Sequence, residues 1–298
     1  MYELNRIDQF GQAFFYQSLT FPLFRSKLRT VESEESIVAI GASYLNQPVG
    51  LVLAEISKDC YSAEVLSLFV KPNYRGQGIG TALLTRIEKV LSLRGCQEVE
   101  LIYTTGRSGI LELESLLRKC NWTPPESRRL ICHTTTDEIA KAPWMQLSMS
   151  SSYQIFPWIE ITQAERRIIE EQQQQHPWIE PDLVPWKYEK ELEPLNSLGL
   201  RYRGQVVGWV ITHRIAPDTI RYSSMFVRKD LQKMARGMTL VVNAIQLQAQ
   251  VNIHNCVFSV QITNTAMSNF VKKHMSPYLT SFEESRGSFK ALRKHCFS

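Results

Sequence analysis

No stretch of this chain approaches 18 consecutive apolar residues, which leaves no candidate for a membrane-spanning helix. The phenylalanine-rich "FFYQSLTFPLF" is broken by Gln17 and Pro22, and "MYELNRIDQFGQ" places Glu3, Arg6 and Asp8 ahead of any apolar run, unlike a signal peptide. Cysteine is sparse: Cys60, Cys96, Cys120, Cys132, Cys256 and Cys296 stand far apart with no CxxC spacing. That argues against a disulfide framework and for reduced, mostly buried thiols, with a cytoplasmic location expected. Zinc would need two close ligand pairs, and Cys132-His133 is a single pair, so no metal is expected. The net charge of +5 is mild, and the densest basic stretch, "KALRKHCFS", has no interleaved aromatics. A nucleic-acid partner is therefore not expected. Glycine is scarce too, at 14 of 298 residues, yet three fall within five positions at Gly76, Gly78 and Gly80.

The length suits two domains, and a repeat supports that division. "YLNQPVGLVLAEI" (44–56) matches "YRGQVVGWVITHR" (202–214), each a turn followed by an alternating strand. "FVKPNYRGQGIGTALL" (69–84) matches "FVRKDLQKMARGMTLV" (226–241), each running from a strand into a helix. "EVELIYTT" (98–105) matches "NCVFSVQIT" (255–263) as a buried strand, and "ILELESLLRKCNW" (110–122) matches "AMSNFVKKHM" (266–275) as a helix. Four elements in one order, with Phe69 set against Phe226 without a gap, indicate a tandem duplication. The expected domains are 1–145 and 146–298, joined by a linker within 141–153. Each half is expected to begin with helices, "RIDQFGQAFFYQSL" in the first and "ITQAERRIIEEQQQQHPW" in the second, the latter stopping at Pro177. The following segment, 176–194, holds four prolines and two tryptophans. It reads as a packed surface loop or as a lid for a cleft between the halves.

Residues 65–70 read as a strand and 81–93 as a helix, with Leu83, Leu84, Ile87, Val90 and Leu91 on its apolar face. The loop between them must turn sharply, and glycine permits positive φ while removing the Cβ that would hold a ligand away. The helix start adds unpaired N–H donors and the positive end of its dipole, which suits phosphate oxygens. The Walker pattern fails because Thr81, not lysine, follows Gly80. The spacing is G-x-G-x-G, preceded by an arginine and by V-x-P.

Val70, Pro72, Arg75, Gly76, Gly78 and Gly80 closely resemble the acyl-CoA signature of the GNAT superfamily of N-acetyltransferases, R/Q-x-x-G-x-G/A after a strand and V-x-P. The resemblance covers the first half directly and the second through the repeat. It implies an α/β (α+β) fold of two tandem GNAT-type domains. Each would be a mixed, mostly antiparallel sheet flanked by helices, with a V-shaped gap between the fourth and fifth strands. It implies acetyl-CoA or another acyl-CoA as donor. Arg75, Gly76, Gln77, Gly78, Ile79, Gly80 and Thr81 would form the pyrophosphate loop, with backbone N–H groups from Gln77 to Thr81 holding the phosphates. Leu68, Phe69 and Val70 would pair with pantetheine and point an N–H at the thioester carbonyl. A carboxylate on the fourth strand commonly deprotonates the acceptor amine, and Glu64 is the acidic residue there. It reads equally as an exposed strand-end glutamate. Many members carry a tyrosine in the last helix that protonates the leaving thiolate, but Leu117 stands at that position. Tyr103 is a substitute, or the thiolate leaves unaided.

In the second half, Arg75, Gly76 and Gly78 become Gln232, Lys233 and Ala235, and only Gly237 keeps its counterpart, Gly80. Phe270 stands at the tyrosine position, and no acidic residue lies between Ile220 and Val227. This half is expected to keep the scaffold and to have lost coenzyme A binding. The expected function is N-acyl transfer, by default acetyl, from acyl-CoA to a primary amine on a small molecule, peptide or protein. One alternative is longer-chain transfer to a lysine or ornithine side chain, with Phe10, Phe14, Phe15, Phe21 and Phe24 lining an acyl pocket or packing as core. The other is a non-catalytic acyl-CoA-binding regulator. Deleting residues 151–298 is expected to leave a soluble first half that binds acyl-CoA and transfers poorly.

Overall fold

The computed structural model describes residues 1–232 and 236–292. Lys233 and Ala235, and the basic tail from residue 293 with Cys296, lie outside the described residues. The chain forms two compact units, Met1–Arg128 together with the stretch from Glu284 onward, and Arg129–Glu283.

The first unit is a six-stranded sheet with helices on both faces. Its strands are β1 (Glu3–Ile7), β2 (Ile37–Tyr44), β3 (Gln47–Ile56), β4 (Ser62–Val70), β5 (Glu98–Thr104) and β12 (Ser281–Ala291), hydrogen-bonded in that order. Only β4 and β5 run parallel; the other neighbours are antiparallel. The β2–β3 turn puts Leu45 and Asn46 at φ 48° and 60°, the two-residue geometry that matches strand twist. "IVAIGASY" and "LVLAEI" are apolar on both faces because both faces are covered. On one side Val52 and Val65 pack with Leu83, Leu84 and Ile87 of α3 (Ile79–Leu93) and Leu117 of α4 (Ile110–Lys119). On the other, Leu51 and Leu53 pack with Ala13 and Tyr16 of α1 (Phe10–Tyr16) and Leu28 of α2 (Arg25–Arg29).

The second unit repeats the plan with β6 (Glu126–Thr135), β11 (Asn255–Gln261), β10 (Thr219–Val227), β9 (Gln205–Ala216), β8 (Leu198–Tyr202) and β7 (Tyr153–Pro157), bonded in that order. Its one parallel pair is β10–β11. Its helices include α5 (Thr136–Ile139), α6 (Gln163–Gln175), α7 (Arg236–Ala249) and α8 (Thr265–Phe270). A reciprocal capping box, Thr162 with Glu165, starts α6, which ends just before Pro177. The two units exchange their closing strands in chain order. β6 follows α4 yet pairs with β11, whereas β12 follows α8 yet pairs with β5.

The expected first helices are present as α1 and α6, but each half opens on a strand before its helix, β1 or β7. These five-residue edge strands feed apolar residues into two clusters each, Leu4 and Ile7 in β1 and Tyr153 and Phe156 in β7, so their partly polar sequences show no period of two. The phenylalanines are a second departure. Phe10, Phe14, Phe15 and Phe21 are 48–70% exposed and are not core, because α1 buries Ala13 and Tyr16 instead. Among the described residues no helix is long and apolar enough to cross a membrane.

Candidate active site

The parallel pairing of β4 with β5 lasts four positions, from Ser62↔Glu98 to Val65↔Leu101, and then stops. At the next residue β4 bulges: Ala54 faces Val65 and Leu53 faces Ser67, so Leu66 is the extra residue. Beyond the bulge β4 stays paired to β3, and its other edge is open. Lys71 N–H donates to Val49 (2.9 Å). Antiparallel alternation then turns the backbone groups of Leu68 and Val70 toward the open edge and spends those of Phe69 on β3. This is the V-shaped gap between the fourth and fifth strands.

The glycine loop sits at the end of that open edge. Gly76 and Gly78 have φ of 75° and 80°, and an added Cβ at either would meet no atom within 4 Å. Both are required for their backbone shape, and the space beside them is open. Gly80 differs, since a Cβ there would lie 3.3 Å from Leu116 Cδ2, so this glycine lets α3 approach α4. The first helical bond at the head of α3 is Ala82 N–H to Gly78 O (3.0 Å). The N–H groups of Gly76, Gln77, Gly78, Ile79, Gly80 and Thr81 have no acceptor among the described residues. Arg75 is turned back to brace the loop: its Nε donates to Val70 O (3.0 Å), and its guanidinium lies 5.8 Å from the Phe69 ring.

Glu64 stands one turn of the pleat before the bulge, opposite Glu55 of β3 on one side and Glu100 of β5 on the other. Laterally paired residues share a face, so the three carboxylates form a row. That row lies on the α1/α2 face, in phase with Leu51 and Leu53. Lys27 Nζ bonds both Glu55 oxygens (2.5 and 2.6 Å), and Arg128 Nη2 bonds Glu100 Oε2 (2.8 Å). No hydrogen bond or ion pair engages the Glu64 side chain among the described residues. Burial, then Glu100, then Glu55 raise its pKa above the ordinary carboxylate range, partly offset by Arg128 and Lys27.

Tyr103 lies on the opposite face of the sheet, packed toward α3 and α4. Its hydroxyl donates to Glu114 Oε1 (2.6 Å), and Arg286 Nη1 of β12 donates to the same oxygen (3.0 Å). Burial, with the hydrogen bond to Glu114, raises the phenol well above its usual value. Leu117, at the position where many relatives carry tyrosine, is fully buried. Sequence reasoning missed Lys27, Arg128 and Arg286; all three ion-pair between different elements, a relation that local patterns do not encode.

The second unit copies this backbone and not its side chains. Its parallel pairing also lasts four positions, Thr219↔Asn255 to Tyr222↔Phe258, and β10 bulges at Ser223. Gln232 Nε2 donates to Val227 O (2.9 Å), the counterpart of the Arg75 brace. The glutamate row becomes His213, Arg221 and Val257. The segment rich in proline and tryptophan packs on the second unit's own sheet. The Leu183 carbonyl accepts from Trp209 Nε1 (3.0 Å) and Ser224 Oγ (3.2 Å), and Trp178 stacks edge-on against Phe226. Among the described residues no group of three or more His, Cys, Asp or Glu is arranged to hold a metal ion.

A gapped mixed sheet occurs in both units, and in the first a glycine loop stands at the head of the next helix. Residues 1–108 match the family model described as Acetyltransferase (GNAT) family. A tandem GNAT protein from the clavulanic acid biosynthesis pathway is similar over 98% of this chain and 99% of its own, with a TM-score of 0.62 at 10% identity. A GCN5-related N-acetyltransferase from Sphaerobacter thermophilus gives 0.62 at 14% identity, covering 98% and 96%. A glucosamine N-acetyltransferase region of a fungal multi-domain β-N-acetylglucosaminidase gives 0.56 at 13%, covering 97% of this chain and 38% of that one. At these identities the likeness is one of fold. Comparison with curated protein sequences finds no match.

Proposed function

We propose that the first unit transfers an acyl group, acetyl by default, from its coenzyme A thioester to a primary amine by direct attack. The observation that carries this reading is the run of unpaired N–H groups from Gly76 to Thr81, set at the end of an open strand edge with Glu64 on the same strand. The open space beside Gly76 and Gly78 fits a pyrophosphate approaching those amides. Leu68 offers its backbone groups and Val70 its N–H to the pantetheine arm, and an N–H from this edge polarises the thioester carbonyl as negative charge develops.

An ammonium acceptor must lose a proton before its lone pair can attack the carbonyl carbon. Glu64 is the base, directly or through water, because it is the carboxylate of its row without a cation bound to it, and its raised pKa makes it a stronger base than an ordinary carboxylate. Collapse of the tetrahedral intermediate breaks the C–S bond and releases the thiolate, and the second proton of the attacking nitrogen passes to water. Tyr103 is a poor donor for that thiolate, since its proton is committed to Glu114 and held tightly. The thiolate therefore leaves without a dedicated acid. The second unit serves as architecture: its row offers Arg221 and His213 in place of carboxylates, and Leu183 and Trp178 cover its sheet.

The test is the mass shift of a panel of primary amines incubated with acetyl-CoA and the protein, with coenzyme A release followed in parallel. Transfer that is lost in Glu64→Gln supports the reading; full transfer by that variant overturns the base assignment. A second reading, longer acyl chains delivered to a lysine or ornithine side chain, is favoured by the exposed Phe10, Phe14, Phe15 and Phe21. Stronger thermal stabilisation by medium- or long-chain acyl-CoA than by acetyl-CoA would select it.

A further inference from the structure

We propose that Arg128, seated across Gly287 of the C-terminal strand, is a positioning residue for Glu64: it holds the Glu100 charge and leaves Glu64 as the free carboxylate of the transfer site. The proposal rests on Glu64 being that carboxylate. Three contacts carry it. Glu100 is the register partner of Glu64 across the parallel pair, so the two carboxylates stand side by side. Arg128 binds Glu100 at 2.8 Å. Gly287, opposite Ile102 on β12, is buried beneath the arginine, and a Cβ at Gly287 would lie 2.3 Å from Arg128 Nε and 2.8 Å from Cζ. Any other residue at 287 moves the guanidinium.

The charged groups facing Glu64 are Glu55 on β3, Glu100 on β5, Lys27 on α2 and Arg128 on β6. The two cations and the two flanking carboxylates cancel in pairs. Removing Arg128 leaves Glu100 uncompensated beside Glu64, and like charges this close favour a shared proton. Glu64 then binds its proton more tightly and is a base over a narrower range. The Arg128–Glu100 pair is about two-fifths exposed, so solvent screening limits the effect. A rise of roughly half to one pH unit in the Glu64 midpoint is expected, about a threefold to tenfold loss of kcat/KM on the acid side of the profile.

The experiment is a carbon-detected NMR titration of glutamate carboxyls in the full chain, with Glu64 assigned from Glu64→Gln, beside pH–rate profiles. Arg128→Gln and Gly287→Ala are expected to move the Glu64 midpoint up. Arg128→Lys, which keeps the charge, returns most of the shift. Glu100→Gln moves it down and shrinks the Arg128→Gln shift to less than half. An unchanged midpoint in both Arg128→Gln and Gly287→Ala, or an upward move in Glu100→Gln, overturns the proposal. The titration reads Glu64 without turnover, so an inactive wild type would sink the transfer reading while this result still stands or falls by itself.

Discussion

The two units hold the same backbone device and put it to different use. In both, a parallel pair lasts four residues, the adjoining strand bulges, and a side chain five residues past the strand end returns to brace its last carbonyl, Arg75 in one and Gln232 in the other. The differences lie in what the device presents. The first unit offers a carboxylate with no ion partner and a helix head with unpaired amides. At the lateral position of Glu64 the second offers Arg221, whose Nε donates to Ser223 Oγ (3.1 Å). Several of its acidic groups, Glu165, Glu189 and Glu193 among them, are held in ion pairs with arginine. A duplicated scaffold can thus keep its pairing register, which packing enforces, while losing the uncompensated polar groups, which packing penalises.

The largest effect should come from the end of the chain. A protein stopping at residue 280 loses β12, and with it Lys290, whose Nζ bonds Glu88 Oε2 at 2.5 Å and Cys120 O at 2.7 Å. Glu88 is a buried carboxylate that also accepts from Trp122 Nε1 (2.7 Å). Loss of the first unit's cooperative unfolding transition is expected, a cost comparable to a whole domain's stability of about 5–15 kcal/mol. Deletion of residues 151–298 is therefore expected to unfold the first half rather than release it. Joining residues 281–292 to residue 128 through a flexible linker should return that transition; failure to do so would show that this unit depends on more than its closing strand.

Next is Glu64→Gln, expected to lower kcat by roughly 10²–10⁴-fold at neutral pH with acyl-CoA affinity retained. Wild-type activity should fall as pH drops through the raised pKa of Glu64. Stability moves the other way. A carboxyl whose folded pKa is raised stabilises the fold below its unfolded value and loses that contribution as pH rises through the folded one, so the glutamine variant should melt higher at neutral pH. Arg221→Glu in the second unit is expected to add no transfer.

How much of this was legible in the sequence depends on whether a feature is local. The glycine loop, α3, α6 with its stop at Pro177 and the repeat are written in contiguous residues, and the structure has them in place. The edge strands β1 and β7 were hidden because five partly polar residues divided between two clusters carry little period. The exchange of β6 and β12 was hidden because a strand's pattern fixes its covered faces and not its neighbour. Arg128 over Gly287 escaped for the same reason, although a glycine inside a strand is itself a signal that something passes close by.

Arg201 offers a contrast of sign with Glu64. Its guanidinium bonds both Glu165 oxygens (2.6 and 3.1 Å), which holds that carboxyl down to about 2. The resulting stability is present above the ordinary carboxylate range and lost as pH falls through about 2. Arg201→Met should cost the protein about 1–3 kcal/mol at neutral pH. The gap to wild type should narrow in thermal melts as the pH is lowered from about 4 toward 2. A gap that stays constant with pH would assign the loss to packing of the guanidinium on Phe156, 3.5 Å from its ring centre.

The smallest effects separate the glycines of the two loops. Gly78→Ala forces a side chain to φ 80°, a strain of about 1–2 kcal/mol, and sends its Cβ into space that no protein atom occupies. Acyl-CoA affinity measured by calorimetry should fall about tenfold, because the methyl stands where the amides are approached. Gly80→Ala meets Leu116 instead, at 3.3 Å, so its cost should register in the melting temperature more than in affinity. Gly237→Ala, with Met225 Cε and Val227 Cγ2 both at 3.7 Å, is ordinary contact and should change neither. If Gly78→Ala bound acyl-CoA as tightly as wild type, the open side of the loop would not be where the donor sits. The glycines of the first unit would then be explained by backbone shape alone, and the contrast between the two loops would lose its functional meaning.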